Sequence, residues 1–169
     1  AAALANARTF GGEDYIGFHT AMALSPALSM ARELPTERQA LPVFKVLYRN
    51  TNRMNEFGGR SSEVLHPVEA GTLPEDRVAG EVVRAAERSK DVQAAERTFA
   101  AVAKRSPDEA FNAVLFAVQD NTEVHRVVLP YRAWDMAGII GKEHAHTLLR
   151  QSLRYCLKSE QHKRDAKWD

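Results

Sequence analysis

The 169-residue chain has one cysteine, Cys156. A single thiol excludes an intrachain disulfide, a CxxC redox pair, a cysteine-rich zinc site and covalent haem attachment through CxxCH. It leaves the compartment open, because secreted proteins without disulfides exist. Long hydrophobic runs are missing too. No stretch approaches the ~20 apolar residues of a spanning helix, so no membrane span is expected and the chain is expected to be soluble. Charge of one sign is also absent. With 23 basic and 22 acidic residues the net charge is +1, which gives no field that would select nucleic acid or an anionic membrane. The last twelve residues, KSEQHKRDAKWD, mix both signs and read as a solvated helix end rather than a polyanion site. No useful length alternates like a half-buried strand, and there is no Ser-His-Asp elbow, phosphate-cradling glycine loop or dinucleotide fingerprint.

What remains is helical periodicity in a chain that is 44% hydrophobic, enough for the core of one domain. The opening AAALANARTF lacks an initiator methionine and reads as a helix already under way, as in a processed or truncated piece of a longer chain. Tyr15, Phe18, His19 and Met22 are spaced i, i+3, i+4, i+7, predicting a helix that Pro26 kinks before it ends near Leu34-Pro35. Thr36 and Gln39 read as a capping box for a helix to about Asn55. Residues 57–71, FGGRSSEVLHPVEAG, read as a linker. Thr72-Leu73-Pro74-Glu75 reads as a second capping box opening a helix to about Ser89, and Val92, Ala95, Phe99 and Val102 mark another. Ser106-Pro107 repeats the start signal, Asp120, Asn121 or Thr122 can cap the next helix, and a last helix runs from Lys142 to about His162. The expected fold is a single all-α domain, a bundle of about seven helices. It divides into a first repeat over about 6–55, the linker, middle helices over about 73–105 and a second repeat over about 107–162.

The repeats are predicted from an ungapped offset of 106. Residues 6–47 laid on 112–153 share ten identities in 42 positions, among them Asn6/Asn112, Phe10/Phe116, Asp14/Asp120, His19/His125 and Glu37/Glu143. Chance would supply about 3 for this composition. Two duplicated helical hairpins pack about a pseudo-twofold axis, which brings matched inward positions together. His19 and His125, each on an apolar stripe, are therefore expected to converge.

Neutral imidazoles suit a transition metal, iron foremost, or a non-covalent haem. His19 and His125 are the expected ligands. Glu143 and His146, spaced i, i+3 on the last helix, resemble the Glu-x-x-His step of di-iron carboxylate bundles and are expected as further ligands. Only one copy of that step exists, since Ala40 stands where His146 would repeat. Glu143 and its counterpart Glu37 are the candidates for proton transfer. Asp14 and Asp120 are read as helix caps, with a supporting role behind the histidines as the alternative. The cluster Tyr48, Arg49, Asn50, Asn52, Arg53 and Asn55 reads as a polar helix end, His66 as a loop histidine and Cys156 as a core residue. The expected function is a helical metal- or haem-binding protein, plausibly an oxidoreductase acting on a small molecule. The alternative is a non-catalytic helical module that binds a protein partner or its own copy, with the same residues forming a buried polar network.

Overall fold

The computed structural model describes the backbone of residues 1–165 and the side chains of residues 1–160. Within the described residues the protein is all-helical with no strand, a bundle of eight α-helices and two 3-10 turns. The helices are α1 (Ala2–Phe10), α2 (Tyr15–Glu33), α3 (Ala40–Phe57), α4 (Ala79–Arg88), α5 (Val92–Arg105), α6 (Pro107–Gln119), α7 (Val124–Ile140) and α8 (Ala145–Asp165). The turns Thr36–Arg38 and Lys142–His144 precede α3 and α8.

Local chemistry fixes several starts. Asp91 accepts from Ala94 N–H at α5, and Ser106 accepts from Glu109 N–H at α6, where Pro107 opens the helix without needing a donor. Two expected starts are overturned. Thr36 and Gln39 make no capping box: Thr36 opens a 3-10 turn, and the Gln39 amide donates back to the Leu34 carbonyl. The helix expected from Pro74 begins at Ala79 with no side-chain cap. Just inside it the Phe116 ring lies against Gly80, where any β-carbon would collide.

α8 is the central helix. It lies against α1, α4, α5, α6 and α7, and it contributes Leu148, Leu149, Leu153 and Leu157 to a core that also holds Val83, Phe99, Val102 and Val114. α2 packs on α3, α7 and α1. Residues 58–78 are irregular but packed, with Leu65 and Glu63 buried. The segment is tied down by Leu65 N–H to the Arg8 carbonyl, Gly71 N–H to the Arg97 carbonyl, and Arg150 to the His66 carbonyl. The basic end of the sequence falls largely outside the described residues.

The element layout repeats at the 106 offset: a 3-10 turn at 36–38 and another at 142–144, each between two long helices. The packing does not repeat. α3 lies mainly against α1 and α2, and Asn50 is its only buried residue.

Candidate functional site

The site is assembled by two helix starts. At α2, Asp14 caps the helix by accepting from Gly17 N–H at 2.6 Å and is gripped by both Nε and Nη2 of Arg53, at 2.9 and 2.7 Å. Burial would raise this carboxyl, but the Arg53 bonds and the Gly17 N–H hold it below the ordinary aspartate value. The close approach of the Phe10 ring to Gly17 fixes the same turn, since a β-carbon there would lie 2.5 Å from the ring. Tyr15, Phe18 and His19 are thereby set on a rigid first turn. At α7 the cap is Glu123, which accepts from Arg126 N–H, and His125 follows two residues later.

α2 and α7 then bring the two histidines together. Their Nε2 atoms are 3.3 Å apart, with ring centroids at 5.0 Å and planes at 74°. Aromatic rings enclose them. Tyr15 lies 4.2 Å from the His19 ring, Phe18 stacks on it at 4.8 Å and meets His125 edge-on at 5.4 Å, and Tyr155 is 5.8 Å from His125.

The outer nitrogens determine what the inner ones can do. His19 Nδ1 lies 2.6 Å from the Tyr15 carbonyl oxygen, which can only accept, so Nδ1 carries the hydrogen. His125 Nδ1 lies 2.5 Å from a carboxylate oxygen of Glu123 and carries its hydrogen for the same reason. In its neutral form each ring therefore turns a bare Nε2 toward the other, and the two nitrogens sit together with a cation between them, either a proton in an Nε2–H···Nε2 hydrogen bond or a metal ion. A carboxylate behind a histidine is also the arrangement that fixes tautomer and raises basicity in metal sites.

Glu123 gathers three donors: His125 Nδ1, Arg126 N–H and the Tyr155 hydroxyl at 3.2 Å. Burial would raise its carboxyl, and the His125 bonds hold it below the ordinary value. Burial, with the nearby Glu123 charge, pushes the Tyr155 phenol up to about 12, so it remains a donor. On the His125 side lies an open cleft of about 470 Å³, lined by Asn121, Glu123, His125, Tyr155, Lys158 and Ser159.

The other expected site residues lie elsewhere. Among the described residues no group of three or more His, Cys, Asp or Glu side chains could hold a metal ion, so nothing of that kind joins the histidines. Glu143 is in the second 3-10 turn with its side chain 71% exposed, and Glu37 is exposed in the first. His146 lies under α5 against Phe99, at 5.7 Å between centroids, and burial lowers its pKa to about 4. The Glu-x-x-His step is therefore split between solvent and core. Asp120 caps nothing. Its carboxylate pairs with Arg84 and Arg88, and the Arg84 bond chiefly pulls it down to about 2.

A second polar centre was not foreseen. Arg126 is fully buried, with Nη1 on Glu160 at 2.5 Å and Nη2 on Glu87 at 3.3 Å and the Ala117 carbonyl at 2.5 Å. Burial drives Glu87 up to about 7 and the neighbouring Cys156 thiol to about 12, leaving that thiol inert at neutral pH. The signal for Arg126 was its place on the same helical stripe as Leu129 and Pro130. The signal for Glu123 was an acid at a helix start, two residues before a histidine.

No family model, curated protein or solved structure matches this chain.

Proposed function

We propose that the protein binds a divalent first-row transition metal through His19 and His125, leaving the remaining coordination positions to water or a small-molecule ligand entering from the cleft. The observation that carries this is the facing pair of bare Nε2 atoms, each with its Nδ1–H anchored to an acceptor. Two imidazole nitrogens about 2.0–2.1 Å from one tetrahedral metal stand about 3.3–3.4 Å apart, and the observed separation is 3.3 Å. Haem is supported less well. Nitrogens on opposite axial sides of one iron are about 4 Å apart, wider than the 3.3 Å between these two.

Oxidation–reduction at iron is the reaction class proposed with this site. Its support is the neutral-imidazole donor set with open positions. The pairing of the histidines at the 106 offset, with the repeated turns, also supports a duplicated hairpin as the origin of the site.

Calorimetric titration with Zn²⁺ and Co²⁺ tests the reading. Binding near one equivalent is expected, with tetrahedral absorption bands for Co²⁺. His19→Ala and His125→Ala should each abolish it, and Glu123→Gln should weaken it about 10–100-fold through loss of the anchor on His125. A wild-type protein that takes up neither ion would sink the metal reading and leave a proton as the cation shared by the pair. The second reading, a non-catalytic interaction module, is favoured by the exposed apolar face of α3.

A further inference from the structure

We infer that the ligand completing the His19–His125 centre is a small carboxylate, drawn into the cleft beside His125 by the uncompensated charge of the metal and by the Lys158 ammonium. The inference rests on the metal reading and adds to it the chemical class of what the metal takes up.

Charge balance carries it. Both histidines offer a neutral imidazole, their Nδ1 hydrogens held by the Tyr15 carbonyl and by Glu123, so a divalent ion between them keeps both of its charges. Among the described residues no group of three or more His, Cys, Asp or Glu forms there to supply an anionic donor. The carboxylate of Glu123 lies behind His125 and is already occupied by His125 Nδ1, the Arg126 N–H and the Tyr155 hydroxyl. A dication held by neutral donors in a half-buried setting favours an anion over water in its remaining positions, because attraction between opposite charges is strongest where solvent is partly excluded.

The cleft has matching chemistry. The charges of Glu123 and Lys158 on its walls cancel, so the metal decides the sign of what enters. Lys158 Nζ lies 3.6 Å from Glu13, which also takes Arg154 Nη2 at 3.3 Å. One carboxylate thus serves two cations, and the Lys158 side chain, 42% exposed, can attract a second anion. The hydroxyl hydrogens of Tyr155 and Ser159 are committed to Glu123 and to the Tyr155 carbonyl, which leaves the donors of the cleft to Lys158 and the Asn121 amide. A carboxylate suits them, and its oxygens are donors that first-row divalent ions accept beside imidazole. Phosphate is less well served. Its usual anchors are arginine forks and open helix starts, whereas the cation here is a lysine and the start of α7 is capped by Glu123. The space of about 470 Å³ admits a small organic acid.

Acetate and acetamide, alike in shape but not in charge, test this when titrated at constant ionic strength into the Co²⁺-loaded protein while the visible cobalt bands are read. Acetate should shift the bands and saturate at a concentration at least about 10-fold below any at which acetamide acts. Lys158→Ala should weaken the acetate response several-fold, and Lys158→Arg, which keeps the charge, should restore most of it. Co²⁺ uptake, followed in the same samples, separates loss of the ligand from loss of the metal. Bands that ignore acetate in a protein that has taken up Co²⁺, or that answer acetamide equally, overturn the carboxylate and leave the metal reading standing. Inorganic phosphate acting at lower concentration than acetate overturns it as well. A Lys158→Ala protein as sensitive to acetate as the wild type overturns the part given to Lys158, and a wild-type protein that takes up no Co²⁺ removes the metal and its ligand together.

Discussion

The segment α2–turn–α3, residues 15–57, and the segment α7–turn–α8, residues 124–165, have the same layout and opposite surroundings. α8 is enclosed by five helices, and Leu149, Leu153 and Cys156 are fully buried. α3 lies mainly against two, and Phe44, where α8 carries buried Arg150, is two-thirds exposed. Layout is thus set by local sequence, whereas burial is set by whichever helices come to lie alongside. The polar contents follow. The enclosed half must satisfy the fully buried Arg126 internally, whereas the open half leaves Glu33, Glu37, Lys45 and Arg49 exposed to water.

The most severe way to break the comparison is to remove the buried cation. Arg126→Ala leaves Glu87 and Glu160 facing each other across the core and should cost about 3–5 kcal/mol. Thr20→Ala, at the matching position of α2, loses only a hydroxyl bonded to the Gly17 carbonyl and Asn50 and should cost about 1 kcal/mol. Urea denaturation of both variants reads the difference. Next come the matched leucines. Leu153→Ala should cost about 2–5 kcal/mol in the packed core, and Leu47→Ala, half-buried on α3, distinctly less. Equal losses would mean that α3 is as enclosed as α8.

Acidity sharpens the comparison further, because two strongly displaced side chains serve the enclosed half: His146 belongs to α8, and Glu87 of α4 pairs with Arg126 of α7. Glu87 titrates near 7 when folded against 4.5 as its ordinary value. The native state therefore holds a proton that the unfolded chain releases, and acidification from pH 7 to 4.5 stabilises the fold. His146 titrates near 4 against an ordinary 6.5. Here the unfolded chain takes up a proton that the native state refuses, so acidification from 6.5 to 4 destabilises it. Each is worth at most about 3 kcal/mol, and in the wild type they offset one another. Glu87→Gln should expose the loss on acidification, and His146→Ala, which installs the residue that α3 carries, should expose the gain. Thermal melts at pH 4.5 and 7 separate the two. The smallest contrast is between the aspartates. Asp14→Ala removes a buried cap and should cost about 1–2 kcal/mol, whereas Asp120→Ala removes a pairing to partly exposed arginines worth below about 1 kcal/mol.

Much of this was legible in the sequence, and the residues show why. The helix starts at Asp14 and Ser106 are local matters of one side chain and one or two N–H groups. The meeting of His19 with His125 was expected from the 106 offset together with the apolar stripe that each histidine occupies, and the two rings do meet. The Thr36 and Thr72 signals misled because a capping box describes only three or four residues. Whether an α-helix or a 3-10 turn follows is not decided by those residues alone: Thr36 opens a 3-10 turn, and α4 starts only at Ala79. Glu143 and His146 share a helical spacing, but the spacing is broken where a 3-10 turn meets α8, and the two side chains part. Arg126 went unread because arginine is normally a surface residue, and its carboxylate partners come from α4 and α8, far away in the sequence.

The path of residues 58–78 has a consequence for cutting the chain. Its first part is held by backbone bonds to α1 and α5, but residues 74–78 form an exposed stretch before α4. A break there severs the polypeptide without severing the contacts of α1 with α8 or of α2 with α7. Each fragment would carry one of the two histidines, so the halves could be made separately and mixed. Recovery of the imidazole pair would then report their complementation.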